Sequence, residues 1–193
     1  MVHKTTEELE AGLDQVRASP PGTGTLELIV RRPAVDEREV LDEGFLDLDV
    51  GLTGDTWQAR GSTSTADGSS NRDAQLTVMS ARAAALVAGP RERWPLAGDQ
   101  LYVDMDLSEG ALPAGTRLAI GEAVIEITAK PHRGCAKFSD RFGPEALRFV
   151  NTGMGLVLNL RGRNARVVVP GPIRRGDPVR LLSPAEHRPP QRE

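Results

Sequence analysis

Apolar and polar residues alternate along this chain with a period that changes several times, and each change predicts an element. Leu9, Leu13 and Val16 recur at helical spacing within residues 5–18, and Thr5 with Glu8 has the arrangement of a capping box, so this stretch predicts a short amphipathic helix. Ser19-Pro20-Pro21-Gly22 ends it, and the period becomes strand-like over 25–30 before Arg31-Arg32-Pro33. A second extended stretch is predicted at 37–41. Residues 45–50 then alternate apolar with acidic side chains until Gly51-Leu52-Thr53-Gly54-Asp55 breaks the pattern. Residues 75–79 read as a strand, and Ser80 is placed to cap an alanine-rich helix over 81–88 that stops at Gly89-Pro90. Leu101, Val103, Met105 and Leu107 share one strand face, and 116–120 with 123–129 flank Gly121-Glu122 as a hairpin. Residues 141–150 predict one helix with Pro144 in its first turn. Strands are expected at 155–160, 164–169 and 178–182, with a turn starting at Gly171-Pro172.

Many short strands punctuated by Gly and Pro, with no helix alternating regularly with parallel strands, predict a mainly β protein carrying a few helices, its sheet closed or barrel-like. The organisation read from the pattern is a helix and linker over 1–22, a β-rich domain over 23–183, and a disordered tail over 184–193. Residues 60–70, rich in Gly, Ser and Thr, read as a mobile surface loop, with a lid over a site as the alternative.

Composition narrows the function classes. With 39% apolar and 26% charged residues the chain has the make-up of a globular protein. A net charge of −3 and 4% aromatic residues argue against nucleic-acid binding by charge or by base stacking. No apolar run approaches the roughly 18–20 residues that span a bilayer, so no membrane partner is expected. One cysteine and an N-terminus without a signal-like apolar stretch point to the cytoplasm as the expected compartment.

The chemistry centres on that single cysteine, Cys135, in Lys130-Pro131-His132-Arg133-Gly134-Cys135-Ala136-Lys137-Phe138. A lone thiol closes no internal disulfide, which leaves packing, metal ligation or sulfur chemistry. His132, Arg133 and Lys137 raise the local positive potential, which favours thiolate, while Gly134 and the preceding strand end place the sulfur in a loop. Burial as a small hydrophobe is the alternative. From Lys130 to Arg166 eight basic residues face two acids, Asp140 and Glu145, a balance of +6 in an otherwise acidic chain. Such a window implies an anionic ligand, since the arginine fork matches phosphate, or else a set of solvated faces. Three scattered histidines and one cysteine cannot build a structural zinc site. No acid neighbours His132 in the chain to orient its imidazole, which disfavours a Cys–His protease, and Gly51-Leu52-Thr53-Gly54-Asp55 lacks the ending of a P-loop.

Three stretches in order carry a resemblance to a known family. Gly98-Asp99-Gln100-Leu101-Tyr102-Val103 is followed by Gly115-Thr116-Arg117-Leu118-Ala119-Ile120-Gly121; the strand 123–128 then leads to Cys135-Ala136-Lys137-Phe138; and Arg161-Gly162-Arg163-Asn164-Ala165-Arg166-Val167-Val168 precedes Gly171-Pro172-Ile173-Arg174-Arg175-Gly176-Asp177-Pro178-Val179. From about residue 41 to 182 the chain resembles a MOSC domain, the module named for the C-terminal part of molybdenum cofactor sulfurases, in its stand-alone bacterial form. Gln100 stands where the family pattern has Asn, and His132-Arg133-Gly134 where a proline usually precedes the cysteine. The resemblance implies a β-barrel-like fold with Cys135 at the mouth of a basic pocket. It implies molybdenum cofactor (molybdopterin) held by Cys135 as metal ligand, with Arg133, Lys137, Arg163 and Arg166 as candidates for the pterin phosphate and Asn164 as a further pocket residue. The implied activity is reduction of N-hydroxylated small molecules with electrons from a separate donor protein. Two other readings stay open: a sulfur-carrier or sulfurtransferase module whose Cys135 takes a persulfide from a cysteine desulfurase, and a non-catalytic binding protein with an inert cysteine. Substrate and oligomeric state are not legible.

Overall fold

The computed structural model describes residues 3–183 and Glu186, so the expected disordered tail lies almost wholly outside the described residues. The amphipathic segment forms two short helices, α1 (Thr6–Ala11) and α2 (Leu13–Arg17), and both halves of the Thr5–Glu8 capping box are present. Leu9, Leu13 and Val16 are buried, as their spacing requires. There follow β1 (Thr23–Arg31), β2 (Glu39–Leu41), β3 (Glu43–Asp47), β4 (Gly51–Leu52), the single turn α3 (Trp57–Arg60), β5 (Leu76–Ser80), α4 (Ala81–Ala88), β6 (Leu101–Asp104), β7 (Arg117–Ile120) and β8 (Ala123–Ile127). The chain ends with α5 (Ala136–Phe142), α6 (Pro144–Asn151), α7 (Gly153–Val157), β9 (Arg163–Val169), β10 (Gly171–Arg174) and β11 (Pro178–Leu181).

Seven strands close on themselves in the order β11-β7-β8-β9-β5-β6-β1, with β1 pairing back to β11 and β2 added to the other end of β1. Only β5 and β6 run parallel, joined through α4, whose capping Ser80 side chain accepts from the Ala83 amide. A small second sheet, β10-β3-β4, lies beside the barrel. All seven barrel strands contribute to one apolar cluster, including Leu26, Val78, Val103, Leu118, Ile125, Val167 and Val179, which is therefore the barrel interior. The intervening residues Leu28, Met79 and Tyr102 belong to a second cluster, under helices that supply Leu9, Leu13, Phe138, Phe142 and Val150. Strands buried on both faces read as continuous apolar runs, as Leu101-Tyr102-Val103 does.

Three local expectations give way. The helix expected over 141–150 is two helices, because Gly143 sits at φ 92° between them and Pro144 opens its own helix at the first position. Residues 153–157 form α7 instead of a strand; Gly155 packs where a Cβ would collide with the Phe149 carbonyl, a close approach that no apolar count reveals. Gly171-Pro172 begins β10 and not a turn, with Pro172 tolerated on an edge strand facing β3. The loop 60–70 is preceded by α3, whose Trp57 is buried. Among the described residues no helix is long and apolar enough to cross a membrane.

Candidate active site around Cys135

The hairpin of β7 and β8 delivers the chain to residues 128–134, and α5 begins directly after Cys135. Cys135 is the N-cap of that helix, in extended backbone, and its carbonyl accepts from the Phe138 and Ser139 amides at 2.9 and 3.1 Å. The thiol is exposed. The reading of Cys135 as a buried hydrophobe is thereby overturned: capping a helix whose buried anchors are Phe138 and Phe142 turns the cap itself outward.

Two side-chain amides hold the loop that presents it, and the His132 side chain is largely buried beneath. Asn151, at the end of α6, receives the Gly134 amide on Oδ1 at 2.9 Å and donates Nδ2 to the Gly134 carbonyl at 3.1 Å. Glycine suits that approach, since a Cβ there would stand 2.8 Å from Leu147 Cδ1 and the leucine would have to shift. Asn164 on β9 donates Nδ2 to the Lys130 carbonyl at 3.1 Å, so this expected pocket residue braces the loop backbone. His132 is tucked inward, its Nδ1 3.5 Å from Asp99 Oδ1, and Asp99 in turn accepts from Arg161 NH1 at 2.5 Å. The acid that the sequence neighbours of His132 lack thus comes from the turn before β6. Burial holds the His132 imidazole well below its ordinary pKa, helped by the nearby Arg161, Arg32 and Arg133 charges. Burial pushes the Asp99 carboxyl up, and Arg161 draws it back. Arg161 also donates to the Ala97 carbonyl and lies over the Phe138 ring at 5.1 Å, tying this buried group to the helix of Cys135. Gln100, where the family pattern has Asn, is buried and accepts from Thr77 Oγ1 and the Thr77 amide, a bond between barrel strands.

The basic window does not survive folding as a free field of charge. Lys137 pairs with Asp36 at 2.9 Å, and Arg141 shares the same carboxylate at 3.0 Å. Arg163 meets Glu109 at 2.8 Å, and Arg166 spans Glu126 at 2.6 Å and Asp73 at 3.3 Å. All five acids that answer the window, Asp36, Asp73, Asp99, Glu109 and Glu126, precede Lys130 in the chain. Among the described residues, Arg133 alone of the five expected binding residues has no carboxylate partner or hydrogen-bonded role beyond a long contact to the His132 carbonyl. Lys137 and Arg133 are therefore near Cys135 in the chain and exposed, while Arg163 and Arg166 face different surroundings along β9.

Two cavities flank the cysteine segment. One, of about 640 Å³, is lined by Arg32, Arg38, Arg60 and Lys137 with Pro33, Val35 and Asp36. Arg32 is locked to Asp55, whose side chain is fully buried, whereas the Arg60 side chain makes no hydrogen bond or ion pair among the described residues. Partial burial and the like charge of Arg32 pull the Arg60 guanidinium below its ordinary pKa, and Arg38 is lowered the same way with Arg141 adding to the effect. Uncompensated cations in a cleft wall are what an anion relieves. The other cavity, of about 250 Å³, lies on the loop side and includes Lys130, His132, Arg133 and Arg163 in its lining. Cys135 lines neither; Lys137 connects its helix to the first and Arg133 its loop to the second. Sequence reasoning gave no role to Arg32, Arg38, Arg60, Asp99 or Asn151; the local hints were Arg31-Arg32-Pro33 at a strand end and the Gly98-Asp99-Gln100 motif. Among the described residues no three His, Cys, Asp or Glu side chains cluster to hold a metal, so a metal on Cys135 would have one protein ligand.

Residues 69–180 match the MOSC domain family. Among solved structures, the YUAD protein from Bacillus subtilis is similar at TM-score 0.62 and 19% identity, over 82% of this chain and 95% of that one. YiiM from Escherichia coli is similar at TM-score 0.53 and 22% identity, over 82% of this chain and 70% of that one. YiiM from Geobacillus stearothermophilus gives 0.52 and 13%, over 84% and 73%. No curated protein sequence matches. At these identities the structures speak for the barrel architecture, and the family match over more than half of the chain decides the rest: this protein belongs to the MOSC domain family.

Proposed function

We propose that the chain binds molybdenum cofactor with Cys135 as the metal's protein ligand, and that the loaded protein reduces N-hydroxylated small molecules with electrons from a separate donor protein. The observation that carries this reading is an exposed thiol at the start of α5, two residues before Lys137 in the wall of a cation-rich cleft. The donor set fits the group: thiolate is a soft ligand suited to such a metal, and guanidinium forks suit a pterin phosphate. Arg60 and Arg38 are better placed to hold that phosphate than Arg163 or Arg166, because carboxylates already occupy the latter two. Lys137 would join them by exchanging Asp36 for the ligand's charge.

When bound, the cofactor supplies two-electron reduction at its metal. The chain's own part is positioning. Asn151 and Asn164 fix the loop backbone, and Phe138 seats the helix that carries the sulfur. A neutral His132 adds no charge to the loop.

Sulfur transfer is the second reading, favoured by the same exposed thiol. One experiment separates them. The protein is purified from cells able and unable to make the cofactor, as wild type and Cys135→Ser, and molybdenum is counted by mass spectrometry. About one metal per chain in the competent host, lost in Cys135→Ser, is expected. No metal in either host, with one sulfur atom added to the intact mass after a cysteine desulfurase and cysteine, would shift the assignment to sulfur transfer.

A further inference from the structure

The smaller cavity carries a site of its own. Its deepest charge is Arg163, at the start of β9, with a side chain only 7% exposed. The turn before it is built tightly: the Gly162 amide donates to the Asn159 carbonyl at 2.7 Å, and a Cβ on Gly162 would strike the Val78 carbonyl. Arg163 therefore has little freedom to seek a partner elsewhere. Its counter-charge is Glu109 on the loop after β6, at 2.8 Å from NH1 but itself 66% exposed. That contact is an ion pair without hydrogen-bond geometry, and NH1 is buried with no other partner. A buried charge answered only by a surface side chain is under-compensated.

The rest of the lining suits a small organic anion. Arg133 brings a second cation that no carboxylate neutralises, and Lys130 a third, its Nζ turned 3.2 Å from Ser64 Oγ. Ala114, Ala129 and Leu156 give an apolar wall. About 250 Å³ is ample for a compact acid.

We propose that this cavity binds a small carboxylate-bearing molecule on Arg163, and that Glu109 is a tethered occupant which swings out when the ligand enters. The exchange replaces one carboxylate by another, so it leaves the charge on Arg163 balanced, and the displaced Glu109 gains water. The site uses neither Cys135 nor the larger cleft and stands whether or not the cofactor reading does.

The test is an NMR titration of the full-length ¹⁵N-labelled chain with sodium benzoate and sodium acetate, at constant ionic strength, following the Arg163 side-chain Nε–H and the Thr128 and Lys130 amides. Inorganic phosphate is the third arm. Benzoate is expected to saturate these shifts, to bind about fivefold or more tightly in Glu109→Gln, where the internal competitor is gone, and to lose the response in Arg163→Gln. Glu109 is exposed, so Glu109→Gln should fold normally and the decision does not hinge on the arginine variant. Absence of saturation in both wild type and Glu109→Gln, or equal affinity in the two, would overturn the proposal; phosphate binding as tightly as benzoate would overturn the carboxylate assignment. Cys135→Ser should leave every titration unchanged, which keeps this outcome separate from that of the metal count.

Discussion

Arg161 and Arg166 stand five residues apart, yet folding gives them opposite fates. Arg161 turns inward to a fully buried Asp99, with a side chain 8% exposed, and couples the barrel to the cysteine helix. Arg166 lies on the outer face of β9, 40% exposed, bridging Glu126 and Asp73 in contact with water. Both read as members of one basic window, and neither offers its charge to a ligand. Among the described residues, cations that line the two cavities without a carboxylate partner include Arg60, from a single helical turn after β4, and Lys130 and Arg133, from the cysteine loop. The difference teaches that a charge surplus counted along a chain says little about a surplus in space, because a barrel brings acids from β8 and from the loops around the strands to meet it.

The strongest way to break the comparison is Arg161→Met. It strands the Asp99 carboxyl in the interior, which costs about 3–5 kcal/mol, and should lower the Tm by roughly 10 °C in a thermal melt. A Tm within a degree or two of wild type would show that Asp99 is not what Arg161 supports. Asn151→Ala, which leaves the Gly134 amide and carbonyl without their partner, should cost about 1–2 kcal/mol. It should also raise hydrogen exchange at residues 132–135 selectively, which distinguishes a loosened loop from general destabilisation.

Acid titration sharpens the same buried group. The unfolded imidazole of His132 takes a proton near pH 6.5, while the folded one, desolvated and facing Arg161, Arg32 and Arg133 as well as Asp99, resists it to well below that. The unfolded state therefore binds more protons as pH falls below about 6.5, and stability drops, by at most about 1.4 kcal/mol per pH unit for this one group. Urea unfolding at pH 7.5 and 5.5 should show the loss, and His132→Asn should reduce it. Arg166→Gln, at the other extreme, should change stability by about 1 kcal/mol or less, and less still in high salt, as for any exposed pair.

Much of the fold was legible because period is a local property. The capping box at Thr5, the Ser80 cap, the alternation of Leu101, Val103 and Met105 and the Gly121-Glu122 hairpin all follow from neighbours within a few residues, and all are present. The misread segments fail where a distant group decides. Gly155 packs against Phe149 to form a helical turn, and Pro172 finds an edge opposite Phe45. For the site, Cys135 stood out as the only thiol, and Arg133 and Lys137 as its neighbours. Arg163 and Arg166 were visible as charges, but their engagement by Glu109, Glu126 and Asp73 was not.

The sequence by itself determined the strand and helix periods, the solitary thiol, and the ordered motifs that mark the family. Only the tertiary structure decided that the thiol faces outward, that Asn151 and Asn164 brace its loop, and which cations remain unpaired. The physical reason is range. Backbone propensity acts over one turn or one pleat, whereas ion pairs and cavities are made by residues that barrel closure brings together from across the chain, such as Asp36 with Lys137 or Glu109 with Arg163.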